Sequence, residues 1–311
     1  MPASLPRVFQ GSETYPDVPL EGPAVTIGNF DGVHLGHRAL LRAARERVGP
    51  SGRVCVYTFD PFPRDVMAPG HGVPAIQTLP DRVATLGTAG VDEVVVEPFD
   101  RDFAQHDPTW FCDVVLRQRL RARAVVVGWD FRFGRDRAGD VDLLRQRLSV
   151  PVVRVPAVAV EGDVVSSTRI RALVAAGDLA TAERLLARPH AVSGEVVPGD
   201  ARGRSLGFPT ANVRPATDLL PPAGVYAVRV DVSGVWLDGV ANLGDRPTFR
   251  PGEGRLEVHL LDWSGDLYGV QVTVAFVRRI REERAFARVD DLVAQIRVDA
   301  EAARRILGQR R

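Results

Sequence analysis

The chain has 311 residues, 45% of them hydrophobic, with 40 basic against 39 acidic side chains and a formal net charge of +1. That length is more than one ordinary core uses, so two domains are expected, and the apolar content is that of a folded chain rather than a disordered one. The near-neutral balance supplies no basic field for a nucleic acid.

No lysine occurs in the sequence, so every fixed positive charge is an arginine. The lysine of a Walker A loop is therefore excluded. A bound phosphate has to be held by arginine, histidine, backbone N–H groups or a metal ion. The two cysteines, Cys55 and Cys112, form no CxxC pair and suggest no disulfide framework. No apolar run approaches the roughly 20 residues of a membrane span. The first 16 residues, MPASLPRVFQGSETYP, lack the charged and apolar regions of a signal peptide. The expectation is a cytoplasmic protein without a membrane partner, with self-association left open.

From Pro23 to about Leu186, short apolar runs alternate with helical patterns. AVTIGNF reads as a buried strand, and HRALLRAARERV as an amphipathic helix with Leu40, Leu41 and Ala44 on one stripe. RVCVYTF is a second strand, PDRVATLGTAG a helix closed by Gly90, and DEVVVEPF a third strand. TWFCDVVLRQRL follows as a helix, then RAVVVG and PVVRVP as a fourth and fifth strand. These strands are near-continuous in valine, as expected when helices cover both faces of a parallel sheet. Ligands bind such sheets beyond the carboxyl ends of the strands.

After about Ala187 the pattern becomes alternating. VYAVRVDV, SGVWLDGVANLG, RLEVHLLDW and VQVTVAFVRRI read as antiparallel strands with one face to a core, the pattern of a small barrel. A terminal helix is predicted over Asp290–Leu307, with Leu292, Ile296, Ala300, Ala303 and Leu307 as its stripe. The expected fold is thus α/β plus β: an N-terminal Rossmann-like doubly wound sheet over residues 1–187, then a small antiparallel β-barrel with a terminal α-helix over 188–311.

The loop GNFDGVHLGH, Gly28 to His37, joins the first strand to the first helix. A helix N-terminus favours an anion, and glycines let a phosphate approach the backbone. His34 and His37, three apart, can point the same way and donate to phosphoryl oxygens as charge develops. A zinc site lacks a third ligand nearby, and a merely structural turn is the remaining alternative. VVSSTRIR, Val164 to Arg171, opens a helix closed by Gly177, with Ser166, Ser167 and Thr168 as strong N-cap residues. Arg171 can fork two phosphoryl oxygens; plain capping is the alternative reading.

The HxGH string after a buried strand resembles the HxGH nucleotidyltransferase superfamily, and the fuller FDGVH string its FAD synthetase branch. VVSSTRIR, YTFDPFP and GWDFRFG are similar to the same branch. The resemblance implies that His34 and His37 are catalytic, and that Gly28, Phe30, Asp31, Gly32, Gly36, Asp130, Ser167, Thr168 and Arg171 bind the nucleotide or flavin. Phe59, Phe62, Phe131 and Phe133 can enclose a flat ring or simply pack in the core. Family members often carry His where this chain has Phe62, so no imidazole role transfers to that position.

GRSLGFPTANV, Gly203 to Val213, is a loop by composition. Thr210 and Asn212 offer oxygen ligands suited to Mg²⁺ with bound phosphates, and Gly207 permits close backbone approach. In RLEVHLLDW, Leu256, Val258 and Leu260 share one face, and Glu257 and His259 the other. Together with GVYAV, GVANLGDRPTF and LEVHLLDWSGDLYG, these stretches resemble the riboflavin kinase family. That resemblance implies Glu257 as general base, Thr210 and Asn212 at the metal, and Gly207 and Pro209 at the nucleotide. His259 receives no role. Arg278, Arg279 and Arg281 read as surface charge, one of them within reach of a phosphate.

The ordered motifs cover residues 22–308, so the chain resembles the bacterial bifunctional riboflavin kinase/FAD synthetase family. What this implies is ATP-dependent conversion of riboflavin to FMN and ADP, then of FMN to FAD and pyrophosphate, with Mg²⁺. An HxGH adenylyltransferase with another acceptor and a non-catalytic flavin-binding protein are the competing expectations.

Overall fold

Valine-rich runs too apolar for any exposed face give the first sheet its centre. The computed structural model describes residues 5–17, 22–70, 72–199, 207–244 and 255–309. By packing, the chain forms two units, 1–73 with 79–166, and 74–78 with 167–311.

In the first unit, strands β1 (Arg7–Gln10), β2 (Ala24–Ile27), β3 (Val54–Asp60), β4 (Glu93–Pro98), β5 (Ala124–Gly128) and β6 (Val152–Val155) form one sheet in the order β1-β4-β3-β2-β5-β6. Every pair is parallel. Its helices are α1 (Leu35–Val48), α2 (Pro63–Met67), α3 (Leu79–Thr88), α4 (Arg101–Ala104), α5 (Pro108–Trp110) and α6 (Val141–Arg147). One face packs Ile27, Tyr57, Val95 and Val125 against Phe111, Cys112, Val115 and Leu116. The other packs Ala24, Val56, Val94 and Val126 against Leu40, Leu41, Ala44 and Leu86. Burial on both faces is why these strands do not alternate. The order reverses between β2 and β5, and the loop after β2 carries the HxGH residues, so that loop lies at the topological switch point. A small hairpin, β7 (Ala159–Val160) and β8 (Asp163–Val164), follows.

Two local features depart from the sequence reading. β1 is a sixth, edge strand, too polar (RVFQ) to register as apolar. It is held by backbone pairing to β4, and the segment after it by buried carboxylates: Ser12 N–H donates to Glu97 at 2.9 Å and Tyr15 OH to Glu93 at 2.6 Å. The helix expected over Thr109–Leu120 is α5 followed by a π-helix, Phe111–Arg119.

In the second unit, α7 (Ser167–Ala176) and α8 (Leu179–Leu186) precede a closed barrel. Its strands are β9 (His190–Val197), β10 (Ala211–Pro215), β11 (Gly224–Val232), β12 (Val235–Gly244), β13 (Arg255–Leu260) and β14 (Gln271–Arg281), in the order β10-β13-β12-β11-β14-β9. Val192, Val213, Tyr226, Val228, Leu256, Val258 and Phe276 fill it, each alternating with outward residues. β9 and β10 were not expected as strands. The loop reading of PTAN is corrected for Asn212, which lies on β10 between β9 and β13. The packing divides the chain at Ser166–Ser167, ahead of the change of pattern near Arg188–Val192.

The terminal helix, α9 (Val289–Gly308), packs Ala300, Ala303 and Leu307 on the outer barrel surface beside Ala227 and Val277. Asp299 of α9 is 3% exposed, and Arg281 of β14 grips it with three N–H···O contacts of 2.8–3.1 Å. Arg279 donates to the Ala223 carbonyl. The surface-charge reading therefore fails for Arg279 and Arg281: both bond within the unit.

Candidate active sites

In the first unit the chain leaves β2 through a strained loop. Phe30, Gly32 and Val33 have φ of 51°, 87° and 42°. Gly32 takes this region without steric cost, whereas Phe30 and Val33 do not. Both of the latter are completely buried in the core under α1, and that burial offsets the strain. The Phe30 side chain is thus part of the floor, its ring 4.9 Å from that of His37.

His34 is the N-cap of α1: its Nδ1 accepts from the His37 N–H at 3.3 Å. A neutral imidazole whose Nδ1 accepts carries its proton on Nε2, which makes that nitrogen a donor. The two imidazoles stack at 3.6 Å and 15°. Burial, then the neighbouring His34 and Arg82, hold the His37 pKa well below its ordinary value, so His37 is neutral. Its Nδ1 is buried without a hydrogen-bond partner. The glycine of HxGH has a steric reason: a Cβ at Gly36 would stand 3.0 Å from His34 Cε1 and 3.1 Å from its Nδ1. At Gly28 a Cβ would meet the Phe30 ring at 3.4 Å, at van der Waals contact.

Asp31 is 2% exposed and lies 3.9 Å from Arg64. Asp130 is exposed in the turn after β5. Phe59 packs edge-on against Tyr57 and Phe99, and Phe131 stacks with Phe133 at 5.4 Å. Phe62 is 8% exposed and lies under two guanidiniums, those of Arg82 and Arg64, at 4.6 and 5.1 Å. Neither arginine stood out in the sequence.

Ser167, Thr168 and Arg171 open α7, which belongs by packing to the second unit. There Arg171 Nε donates to the Pro74 carbonyl at 2.9 Å.

The barrel builds its constellation from strand register. Asn212 on β10 lies opposite Glu257 on β13, and Glu257 lies opposite Asn242 on β12. Directly paired residues point to one face, and their neighbours Val213, Ala241, Leu243, Leu256 and Val258 face inward. A carboxylate therefore sits between two carboxamides on the outer face. Asn242 lies within the recognised GVANLG stretch, yet only the β12–β13 register reveals it as a neighbour of Glu257. Gly199 makes room for this row, since a Cβ there would collide with the Asn212 carboxamide.

Before β10, Gly207 has φ of 82° and open space around it. The Pro209 carbonyl accepts from His259 Nδ1 at 2.8 Å, and Phe208 meets the His259 ring edge-on at 5.6 Å. His259 thus secures the segment that carries Thr210. Thr210 and Pro209 line a cavity of about 310 Å³, with Val196, Leu260, Trp263 and Tyr268 among its walls. Gly203–Leu206 and Asp245–Phe249, parts of two recognised stretches, lie outside the described residues. No group of three or more His, Cys, Asp or Glu side chains able to hold a metal occurs among the described residues.

Comparison with known proteins gives the same two-part division. The FAD synthetase family matches residues 18–169 and the riboflavin kinase family residues 186–307. The bifunctional riboflavin kinase/FMN adenylyltransferase of Pseudomonas fluorescens is 43% identical, over 91% of this chain and 92% of that protein. The protein of the same description from Escherichia coli K12 is 41% identical, over 97% and 98%. A crystal structure described as a macrolide-efflux protein from Streptococcus pneumoniae superposes with a TM-score of 0.85 at 32% identity, over 97% of this chain and 99% of that one. No helix among the described residues is long and apolar enough to cross a membrane. With two enzyme families matched in order along it and relatives above 40% identity over nearly its full length, the chain belongs to the bifunctional riboflavin kinase/FMN adenylyltransferase family.

Proposed function

We propose that the chain carries out two successive reactions, riboflavin to FMN in its C-terminal part (188–311) and FMN to FAD in its N-terminal part (1–187). The observation that carries this reading is the presence, in one chain, of both matched segments, each with its own set of charge-handling side chains.

In the first reaction Glu257 takes the proton of the ribityl 5′-hydroxyl as that oxygen attacks the γ-phosphorus of ATP, and ADP leaves. Asn212 and Asn242, opposite Glu257 in register, support its position. The hydroxyl of Thr210 and the carboxamide of Asn212 are hard oxygen donors that suit Mg²⁺ sharing ATP phosphates. When bound, that ion supplies charge neutralisation at the phosphates. Beside Thr210, the cavity walled by Leu260, Trp263 and Tyr268, with Ser264 and Asp266 as polar groups in its lining, has room for the flat ring of a substrate. Gly207 and Pro209 shape its approach.

In the second reaction an oxygen of the FMN phosphate attacks the α-phosphorus of a second ATP. The bond to the β-phosphate breaks, and FAD and pyrophosphate form. The nucleophile is already anionic, so the site needs charge stabilisation rather than a base. His34, the N-cap of α1, and neutral His37 donate to the phosphoryl oxygens. Gly28, Gly32 and Gly36 keep the cradle open, and Asp31 and Asp130 are polar contacts at the strand ends. These substrates, and two cysteines that are both free thiols, fit a cytoplasmic enzyme.

The test is one incubation of the purified chain with riboflavin, ATP and Mg²⁺, with the flavins separated over time. FMN should rise first and FAD follow. FMN alone would remove the adenylyltransferase half, and bound but unconverted riboflavin would remove both.

A further inference from the structure

Arg82 is the largest fully buried side chain of the described residues, 1% exposed. A buried cation is costly unless paired, yet Arg82 makes no ion pair within 4.0 Å among the described residues. Its hydrogen bonds go instead to backbone. Nη1 donates to the Asn29 carbonyl at 2.8 Å and Nη2 to the Phe59 carbonyl at 3.1 Å. Its planar face lies over the Phe62 ring at 4.6 Å, and its Nε has no partner. Asn29 belongs to the loop after β2 and Phe59 to the end of β3, so one guanidinium ties together the ligand ends of two neighbouring strands.

We propose that Arg82 is a positioning residue for adenylyl transfer, a buried clamp that joins the HxGH loop to the end of β3. The inference rests on the assignment of that reaction to the HxGH loop. Only a planar fork reaches two carbonyls at once while stacking on a ring; an ammonium would satisfy one and stack poorly. The charge has a second effect. Of the groups acting on His37, His34 stacks on it from the start of α1, and Arg82 approaches from α3. Asp31 of the loop and Asp60 of β3 act on Arg82 from the opposite sign. Burial is the main reason that His37 stays neutral, and the positive charge of Arg82 adds to it by further disfavouring an imidazolium.

Two full-length variants separate the clamp from the charge. Arg82→Lys keeps the charge and loses the fork; Arg82→Met loses both. Circular dichroism and thermal unfolding serve as the control for folding, FMN formation from riboflavin reports on the barrel unit, and kcat and KM are measured for FAD formation from supplied FMN. Both variants should lower kcat for FAD about 10- to 100-fold, the size expected of a small misplacement of the reacting groups, with KM for ATP changed far less. Histidine 13C–1H resonances give the second readout: the His37 signal should stay untitrated in wild type and Arg82→Lys, and begin to titrate at higher pH in Arg82→Met. Phe62→Leu, which removes only the stacking face, should fall between wild type and Arg82→Lys and serves if Arg82→Met does not fold. FAD formation within about twofold of wild type in Arg82→Lys and Phe62→Leu would overturn the clamp, that being within the reach of a merely structural change. His37→Asn distinguishes the two failures. Undiminished FAD formation in that variant too would mean the HxGH assignment itself was wrong.

Discussion

The two units reach chemically similar ends by opposite means. In the parallel sheet, the candidate site is a loop held in an uncommon backbone conformation, with Phe30 and Val33 at positive φ and kept there by burial. In the barrel it is a row of side chains on regular strands, Asn212, Glu257 and Asn242, aligned by register alone. The first depends on what lies beneath it, such as Arg82 and Phe62; the second depends on the pairing of three strands. A loop site is therefore sensitive to small changes of volume, and a register site to changes of chemistry at one position.

The largest expected effect is chemical. Glu257→Gln preserves shape and register but removes the base, so FMN formation should fall by on the order of 10² to 10⁴. FAD formation from supplied FMN should be unchanged, and flavin binding retained. A small effect on FMN formation would break the contrast at its sharper end.

Next comes acid sensitivity in the barrel. His190, at the start of β9, is buried with Nε2 donating to the Leu219 carbonyl at 3.0 Å and Nδ1 without a partner. Burial lowers its pKa from 6.5 to about 4. As pH falls from 6.5 toward 4, the unfolded chain takes up this proton and the folded chain does not. The stabilisation is complete above pH 6.5, and about 3 kcal/mol of it should be gone by pH 4. Urea unfolding of the full chain across that range, compared with His190→Gln, should show a weaker pH dependence in the variant. Equal slopes would exclude the histidine as the cause.

A volume change should act on the loop site by a similar amount. Gly36→Ala places a methyl 3.0 Å from the His34 ring, which must shift by a few tenths of an ångström and so disturbs its capping contact. We expect FAD formation to drop about 100-fold with FMN formation intact. Steady-state rates for the two half-reactions check this directly.

The smallest effect tests how far the barrel site relies on its flank. His259→Phe keeps a ring against Phe208 but loses the bond to Pro209. One lost hydrogen bond is worth about 1 kcal/mol, so FMN formation should fall by about tenfold or less, mainly through KM for ATP. A much larger loss would mean that the barrel site, like the first, is set by a loop.

Much of this was legible in the sequence because it is local. The β2–loop–α1 unit follows from an apolar run, a glycine-rich turn and a 3.6-residue stripe. α9 was expected over Asp290–Leu307 and spans Val289–Gly308. Glu257 was placed on the outward face by alternation alone. Other features left no local trace. β1 is polar and exists through pairing with β4, some 85 residues away. β10 reads as a loop until β9 and β13 flank it. Arg82 looks like any surface charge of an amphipathic helix, and His259 like a strand residue without a task.

The sequence by itself determined the two-part plan, the switch-point loop and the chemical character of each site, because periodicity, glycines and hydroxyl or carboxylate side chains act over a few residues. Only the tertiary structure decided which carbonyls Arg82 would hold, which carboxamides would flank Glu257 and which histidines would stay neutral. Those outcomes depend on burial and on pairings between distant segments, and neither is encoded within a window of neighbours.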